Sequence, residues 1–216
     1  MKSISMALAL AAVAAGLIAG SANAAGLAKS GSMERVVTTK NVGASAVESE
    51  KYYWSGDRLR NEKYTVGGVL VQIKNGRTLY MYDPVGKEAI KTTLPDQLAK
   101  SVEQMLMEQA GPVTGGKKVG AAKIAGIDCD VYMMSKVEGG QRKSAKVYVS
   151  KDPRLPIPLK IEITMGKGTQ IVETRNVRLN VSVPDSMFSV PKGTKITVKA
   201  LPPPSTKIVP GAGSPK

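Results

Sequence analysis

The residues whose types and spacing come nearest to a chemical site are Asp128, Cys129 and Asp130, a thiol between two carboxylates. A nucleophilic thiol needs a neighbour that ionises it, and a carboxylate pair needs both groups converging on one substrate. The pattern meets neither condition. Ile127, Cys129, Val131 and Met133 alternate with Asp128, Asp130 and Tyr132, the period-two spacing of a strand, so both carboxylates point away from the thiol. The chain of 216 residues contains no histidine, which removes the usual base of hydrolase triads and the commonest nitrogen ligand of zinc. Gly115-Gly116 and Gly139-Gly140 lack the downstream spacing of a phosphate-binding loop and read as turns. No catalytic residue, metal ligand or cofactor is therefore assigned. Lysine- or arginine-centred chemistry without a motif is the enzymatic alternative that stays open. Cys129 is the single cysteine; it forms no intramolecular disulfide and reads as a small buried hydrophobe.

The elements that must carry any site are strands. Alternation recurs in Val69-Val71-Ile73, Ile127-Cys129-Val131-Met133, Ala145-Val147-Val149 and Leu159-Ile161-Ile163-Met165, and most clearly from Val177 to Val183, where Arg178, Asn180 and Ser182 face away from Val177, Leu179 and Val181. Asn75-Gly76 between Val69–Lys74 and Arg77–Tyr82 predicts a tight hairpin whose turn takes positive backbone angles. Glycine and proline clusters punctuate the rest at hairpin spacing, without crossover helices, which implies an antiparallel meander. One stretch differs: from Pro95 to Ala110, Leu98, Val102, Met105 and Leu106 form the stripe of an amphipathic helix, with Asp96 as its N-cap and Gly111-Pro112 as its stop. The class is mainly β, with one helix lying over a sheet.

The N-terminus is built for export. Lys2 precedes an apolar run from Met6 to Ala19, and small residues at Ala22 and Ala24 fit a signal peptidase that cuts after Ala24. The expected organisation is a leader over residues 1–24, one domain over 25–200, and a Pro/Gly/Ser tail over 201–216 that presents no donor ladder or apolar stripe. Lys and Arg total 31 against 17 Asp and Glu, a net charge of +14. The cations are scattered, with little aromatic interleaving, which disfavours nucleic acid and favours an anionic membrane surface or an acidic ligand.

Two regions carry a resemblance. Tyr52-Tyr53-Trp54-Ser55-Gly56-Asp57-Arg58-Leu59-Arg60-Asn61-Glu62 is followed by Ile73-Lys74-Asn75-Gly76-Arg77-Thr78-Leu79-Tyr80-Met81-Tyr82-Asp83-Pro84. Later come Ile124 to Tyr132, Val147 to Ser150, Leu155 to Lys160, and Val183 to Pro191 before a closing strand. Their order and spacing resemble the outer-membrane lipoprotein carrier (LolA-like) superfamily over most of residues 45–195. The resemblance implies a periplasmic protein with a curved antiparallel half-barrel sheet, and a helical lid over an apolar cavity for acyl chains. The long N-terminal helix of the carriers has little room here, because only Ala25–Ser32 precedes the first strand-like run. Arg58 and Arg60 are the nearest counterparts of the basic residue that pins the lid.

The functional expectation is a carrier of an apolar ligand, a lipid or the acyl chains of a lipoprotein. Val71, Ile73, Leu79, Met81, Met133, Val147 and Ile161 are expected on the concave sheet face, meeting Leu98, Val102 and Met105 of the helix, either around a cavity or as a filled core, since alternation specifies a buried face and does not tell the two apart. Trp54, Tyr52, Tyr53, Tyr80 and Tyr82 are expected either at the rim, where amphipathic rings suit a wet and apolar boundary, or as cross-strand packing pairs. An envelope sensor or protein-interaction module on the same fold is the alternative.

Overall fold

The computed structural model describes residues 26–41, 44–96, 99–110, 116–138 and 141–200; the leader, Leu98 and the tail from residue 201 lie outside them. Six strands come first: β1 (Ser30–Asn41), β2 (Ala44–Ser55), β3 (Arg58–Thr65), β4 (Gly68–Asn75), β5 (Thr78–Asp83) and β6 (Glu88–Thr93). Helix α1 (Val102–Ala110) leads to β7 (Lys117–Ile124), β8 (Ile127–Glu138), β9 (Gln141–Ser150), β10 (Pro158–Met165) and β11 (Gly168–Leu179). A 3-10 turn at Asp185–Phe188 and strand β12 (Lys195–Val198) follow. All the strands form one sheet in the order β12-β6-β5-β4-β3-β2-β1-β11-β10-β9-β8-β7. Two antiparallel meanders are thus welded along β1 and β11, and the edges β7 and β12 do not pair with each other, so the sheet is open. The antiparallel class is as the alternation implies. The parallel pairing of β12 with β6 is an addition that it did not signal.

Local chemistry sets the boundaries. In the β4–β5 hairpin Asn75 pairs with Thr78, so Gly76 and Arg77 are the loop residues. Of Asn75 and Gly76 only Gly76 takes a positive φ, of +56°. The helix starts later than expected. Ser101 Oγ accepts from Gln104 N–H at 3.1 Å and Gln104 Oε1 accepts from Ser101 N–H at 2.9 Å, a reciprocal capping box that satisfies two otherwise unpaired donors. Asp96 instead pairs with Arg77 at 3.1 Å. Strand β11 stops at Leu179 because Asn180 turns to φ +56°, so the alternating residues Val181 and Val183 leave the sheet.

Direct cross-strand partners share a face, and the register therefore sorts the side chains. Gly31, Trp54, Leu59, Lys74 and Leu79 form one row across β1 to β5, and Met33, Tyr52, Asn61, Gln72 and Met81 the next. Met33, Tyr52, Trp54 and Leu59 pack in one cluster with Val102 and Leu106 of α1, which makes this the helix face. Gly31 is obligatory there: a Cβ would lie 2.3 Å from the Trp54 ring and 2.7 Å from the Arg178 carbonyl oxygen. The cluster also takes in Leu155, Ile157 and Leu159 and reaches Cys129, Val131 and Tyr148, where an irregularity between Pro158 and Lys160 breaks the strict alternation of β10. On the opposite face Val71, Ile73, Tyr82 and Ala89 pack with Phe188, flanked by Val183, Met187 and Val190. The chain that left β11 is the strap over that face.

Candidate ligand-binding face

The second half of the helix face is built differently from the first. Val37, Val172, Ile161, Val147 and Tyr132 stand opposite one another across β1, β11, β10, β9 and β8. Gln170, Ile163, Ala145 and Met134 form the neighbouring row. Val147 is buried, whereas Val37, Val172, Ile161, Ile163, Ala145, Tyr132 and Met134 are half-buried. None of them belongs to either apolar cluster. Four strand spacings of about 4.8 Å give the first row a length of roughly 19 Å. The reverse side of the same strands carries ion pairs, Lys160 with Glu162 at 2.7 Å and Arg175 with Glu173 at 2.9 Å, beside Tyr148 and Val131 of the packed cluster. An apolar strip left partly open on one face, and backed by charge on the other, is suited to hold a chain-like apolar guest.

Between that strip and the helix cluster lies Arg35, only 2% exposed, directly opposite Thr174 on β11 and Glu50 on β2. Its guanidinium carbon is 5.3 Å from the centroid of the Tyr52 ring. Tyr52 donates its hydroxyl proton to Glu50 Oε2. Burial pushes that phenol far above its ordinary value, with the positive charge of Arg35 pulling the other way, so Tyr52 stays a donor. Glu50 is further engaged by Lys63 at 3.6 Å, which also pairs with Glu48 at 3.2 Å.

The expected site residues divide between the two faces. Val147 and Ile161 stand together on the open strip. Leu79 and Met81 also lie on the helix face, but at the far end of the sheet beside Lys74 and Gln72, with Met81 37% exposed. Val71 and Ile73 are on the strap face, buried under Phe188, because they alternate out of register with Leu79 and Met81. Met133 is opposite Lys146, on the ionic side of β8, and 41% exposed. Val102 and Met105 of α1 pack on Trp54 and its neighbours; Leu98 lies outside the described residues. Trp54 is not at a rim: it is fully buried and donates Nε1–H to the Ala28 carbonyl at 2.7 Å. Tyr52 is equally buried.

Arg58 and Arg60 pin a cover, yet it is the strap and not the helix. Arg58 pairs with Asp185 at 2.8 Å and stacks 4.6 Å above the Phe188 ring, and Arg60 donates to the Met187 carbonyl at 3.2 Å. Sequence reasoning missed Arg35 and Lys74, both buried on the helix face, Lys74 with Asp57 at 2.6 Å. The only advance signal was their place within strand runs, where an inward cation looks the same as an outward one. Asp128 and Asp130 pair with Lys123 at 3.4 Å and Lys118 at 2.9 Å, on the side away from Cys129, whose thiol is buried and raised by that burial. A shallow depression bounded by Gly126, Ile127, Asp128 and residues 151–154 lies at the β7–β8 turn, away from the strip.

No family model matches the chain, and no curated protein matches it. Solved structures resemble it at low similarity. An uncharacterized conserved protein from Thermus thermophilus is 10% identical, with a TM-score of 0.47 over 78% of this chain and 90% of its own. The Pseudomonas aeruginosa MucA/MucB complex gives 14% identity and a TM-score of 0.44 over 74% of this chain and 56% of the matched one. LolA superfamily protein NE2245 from Nitrosomonas europaea gives 12% and 0.36, over 74% and 90%. Likeness at this level says nothing of a role or a ligand. Among the described residues no helix is long and apolar enough to cross a membrane.

Proposed function

We propose that this protein is an exported carrier, without catalytic chemistry, that holds a lipid or the acyl chains of a lipoprotein against the strip formed by Val37, Val172, Ile161 and Val147. The observation that carries this reading is the partly open state of the strip. A protein that needed only a core would close it, since each buried methylene group gains about 0.8 kcal/mol. An acyl chain lying across the strands gains the same energy and leaves with the guest. The leader-like N-terminus and the ordered motifs from Tyr52 to Pro191 support an envelope setting. The net charge of +14 favours approach to an anionic membrane surface, an attraction that weakens with salt.

Mass spectrometry of the exported protein, purified without detergent and sprayed under native conditions, tests the proposal. Co-purifying lipid that is lost from an Ile161→Asp variant is the expected result. Protein that stays empty, and that takes up no fatty acid when it is offered, would rule the reading out.

A further inference from the structure

Arg35 is a buried charge without a counter-ion within hydrogen-bond reach. Its Nε and Nη2 have no hydrogen-bond partner, nor does Oγ1 of Thr174, the residue directly opposite on β11. Asn61 Nδ2, on the same face two strands away, is a fourth unpaired donor. A guanidinium stays protonated at any physiological pH, so burial cannot be relieved by losing the proton. Tyr52 engages the cation through its ring, 5.3 Å away, and through a hydrogen bond to its hydroxyl, and the Nε–Nη2 side of the guanidinium stays unpaired. Glu50, the carboxylate placed to neutralise it, is occupied by Tyr52 and Lys63. Unpaired buried donors of this kind are rare in native proteins and mark a missing partner.

The position of Arg35 says what that partner is. Arg35 and Val37 are two residues apart on β1 and share a face, so the guanidinium sits at the side of the apolar strip, one row from Val172 and Ile161. We infer that Arg35, with Thr174, is an anchor for the acidic headgroup, carboxylate or phosphate, of an amphiphile whose hydrocarbon chain lies along the strip. This rests on the proposed function and narrows it to anionic lipids. The planar fork of arginine binds two oxygens of such a headgroup at once, and the Thr174 hydroxyl supplies a third hydrogen bond. Both nitrogens are closed to solvent here, so entry requires local opening and association is slow.

Binding of palmitate, hexadecanol and acetate to the full protein separates the outcomes. Palmitate is expected to bind at least about tenfold tighter than hexadecanol, and Arg35→Met is expected to erase that preference while keeping the affinity for hexadecanol. The unliganded variant is expected to melt no lower than the parent, because a buried unpaired charge has been removed. Should Arg35→Met fail to fold, Arg35→Lys and Thr174→Val carry the same test, each expected to shrink the preference. Equal affinity of the parent for palmitate and hexadecanol would overturn the anchor and leave the carrier reading standing. Failure of both to bind would overturn the carrier reading as well. Acetate protecting the fold as well as palmitate does would make this a small-anion site, and an equal loss of both ligands in Arg35→Met would make Arg35 structural; either result ends the proposal.

Discussion

Two apolar surfaces of this sheet look alike in sequence and differ in what closes them. Val69, Val71 and Ile73 on β4 alternate as cleanly as Ala145 and Val147 on β9 or Ile161 and Ile163 on β10. The first surface is sealed by the strap, which brings Phe188, Met187, Val183 and Val190 down on it and is fastened by Arg58 and Arg60. The second, on the opposite face, stays half-buried outside the packed clusters. Alternation announces a face that must leave water, but the agent that covers it comes from elsewhere in the chain, or from outside it.

The largest effect that could break this contrast belongs to the strap. Phe188→Ala is expected to lower the stability by about 3–5 kcal/mol, because a fully buried ring leaves a cavity. The urea midpoint measures it, and a cost below about 1 kcal/mol would mean that the strap is an ornament and that the two surfaces do not differ in kind. Next comes a matched pair. Ile73→Ala on the sealed surface is expected to cost about 2–5 kcal/mol. Ile161→Ala on the open one is expected to cost roughly 1 kcal/mol, since much of its side chain already meets water. Equal losses would place Ile161 in an ordinary core.

How far the contrast was legible beforehand depends on the range of the signal. Period-two runs and glycine turns are local, and they were enough for the antiparallel sheet, for the β4–β5 hairpin and for the stripe of Val102, Met105 and Leu106. The capping box at Ser101 and Gln104 is also written locally, but Asp96 offers the same cap chemistry five residues earlier, and the pattern alone does not choose between them. Face follows from turn length, which is local too: a two-residue loop, whether at Asn75-Gly76 or at Gly76-Arg77, sets odd-numbered residues of β4 opposite even-numbered ones of β5, so grouping Val71 and Ile73 with Leu79 and Met81 ran against the hairpin itself. The run from Val177 to Val183 kept its alternation across Asn180, where the backbone turns out of the sheet, so the same pattern served a strand and then a strap. Arg35 was invisible because nothing in Glu34-Arg35-Val36 tells a buried cation from a solvated one.

The smallest expected effect concerns the fastening of the strap. Glu62 lies next to the sealed surface, opposite Val71, and accepts from Arg60 Nε at 2.7 Å and from the Tyr64 hydroxyl at 2.6 Å. Burial raises its carboxyl pKa, but the bonds from Tyr64 and Arg60 outweigh burial and hold it below the ordinary value. The same bond pushes Tyr64 up to about 12. A depressed folded value means that the carboxylate contributes stability above its unfolded pKa of about 4.3, and that this contribution drains away as pH falls through the folded value. Glu62→Gln should therefore cost on the order of 1 kcal/mol at neutral pH, and the gap between parent and variant should close in acid. Since Arg60 also holds the Met187 carbonyl, amide exchange in the strap should speed up in the variant at neutral pH and leave the β8–β11 strip unchanged. A gap that is constant with pH, or faster exchange in the strip instead, would show that Glu62 does not act through the strap.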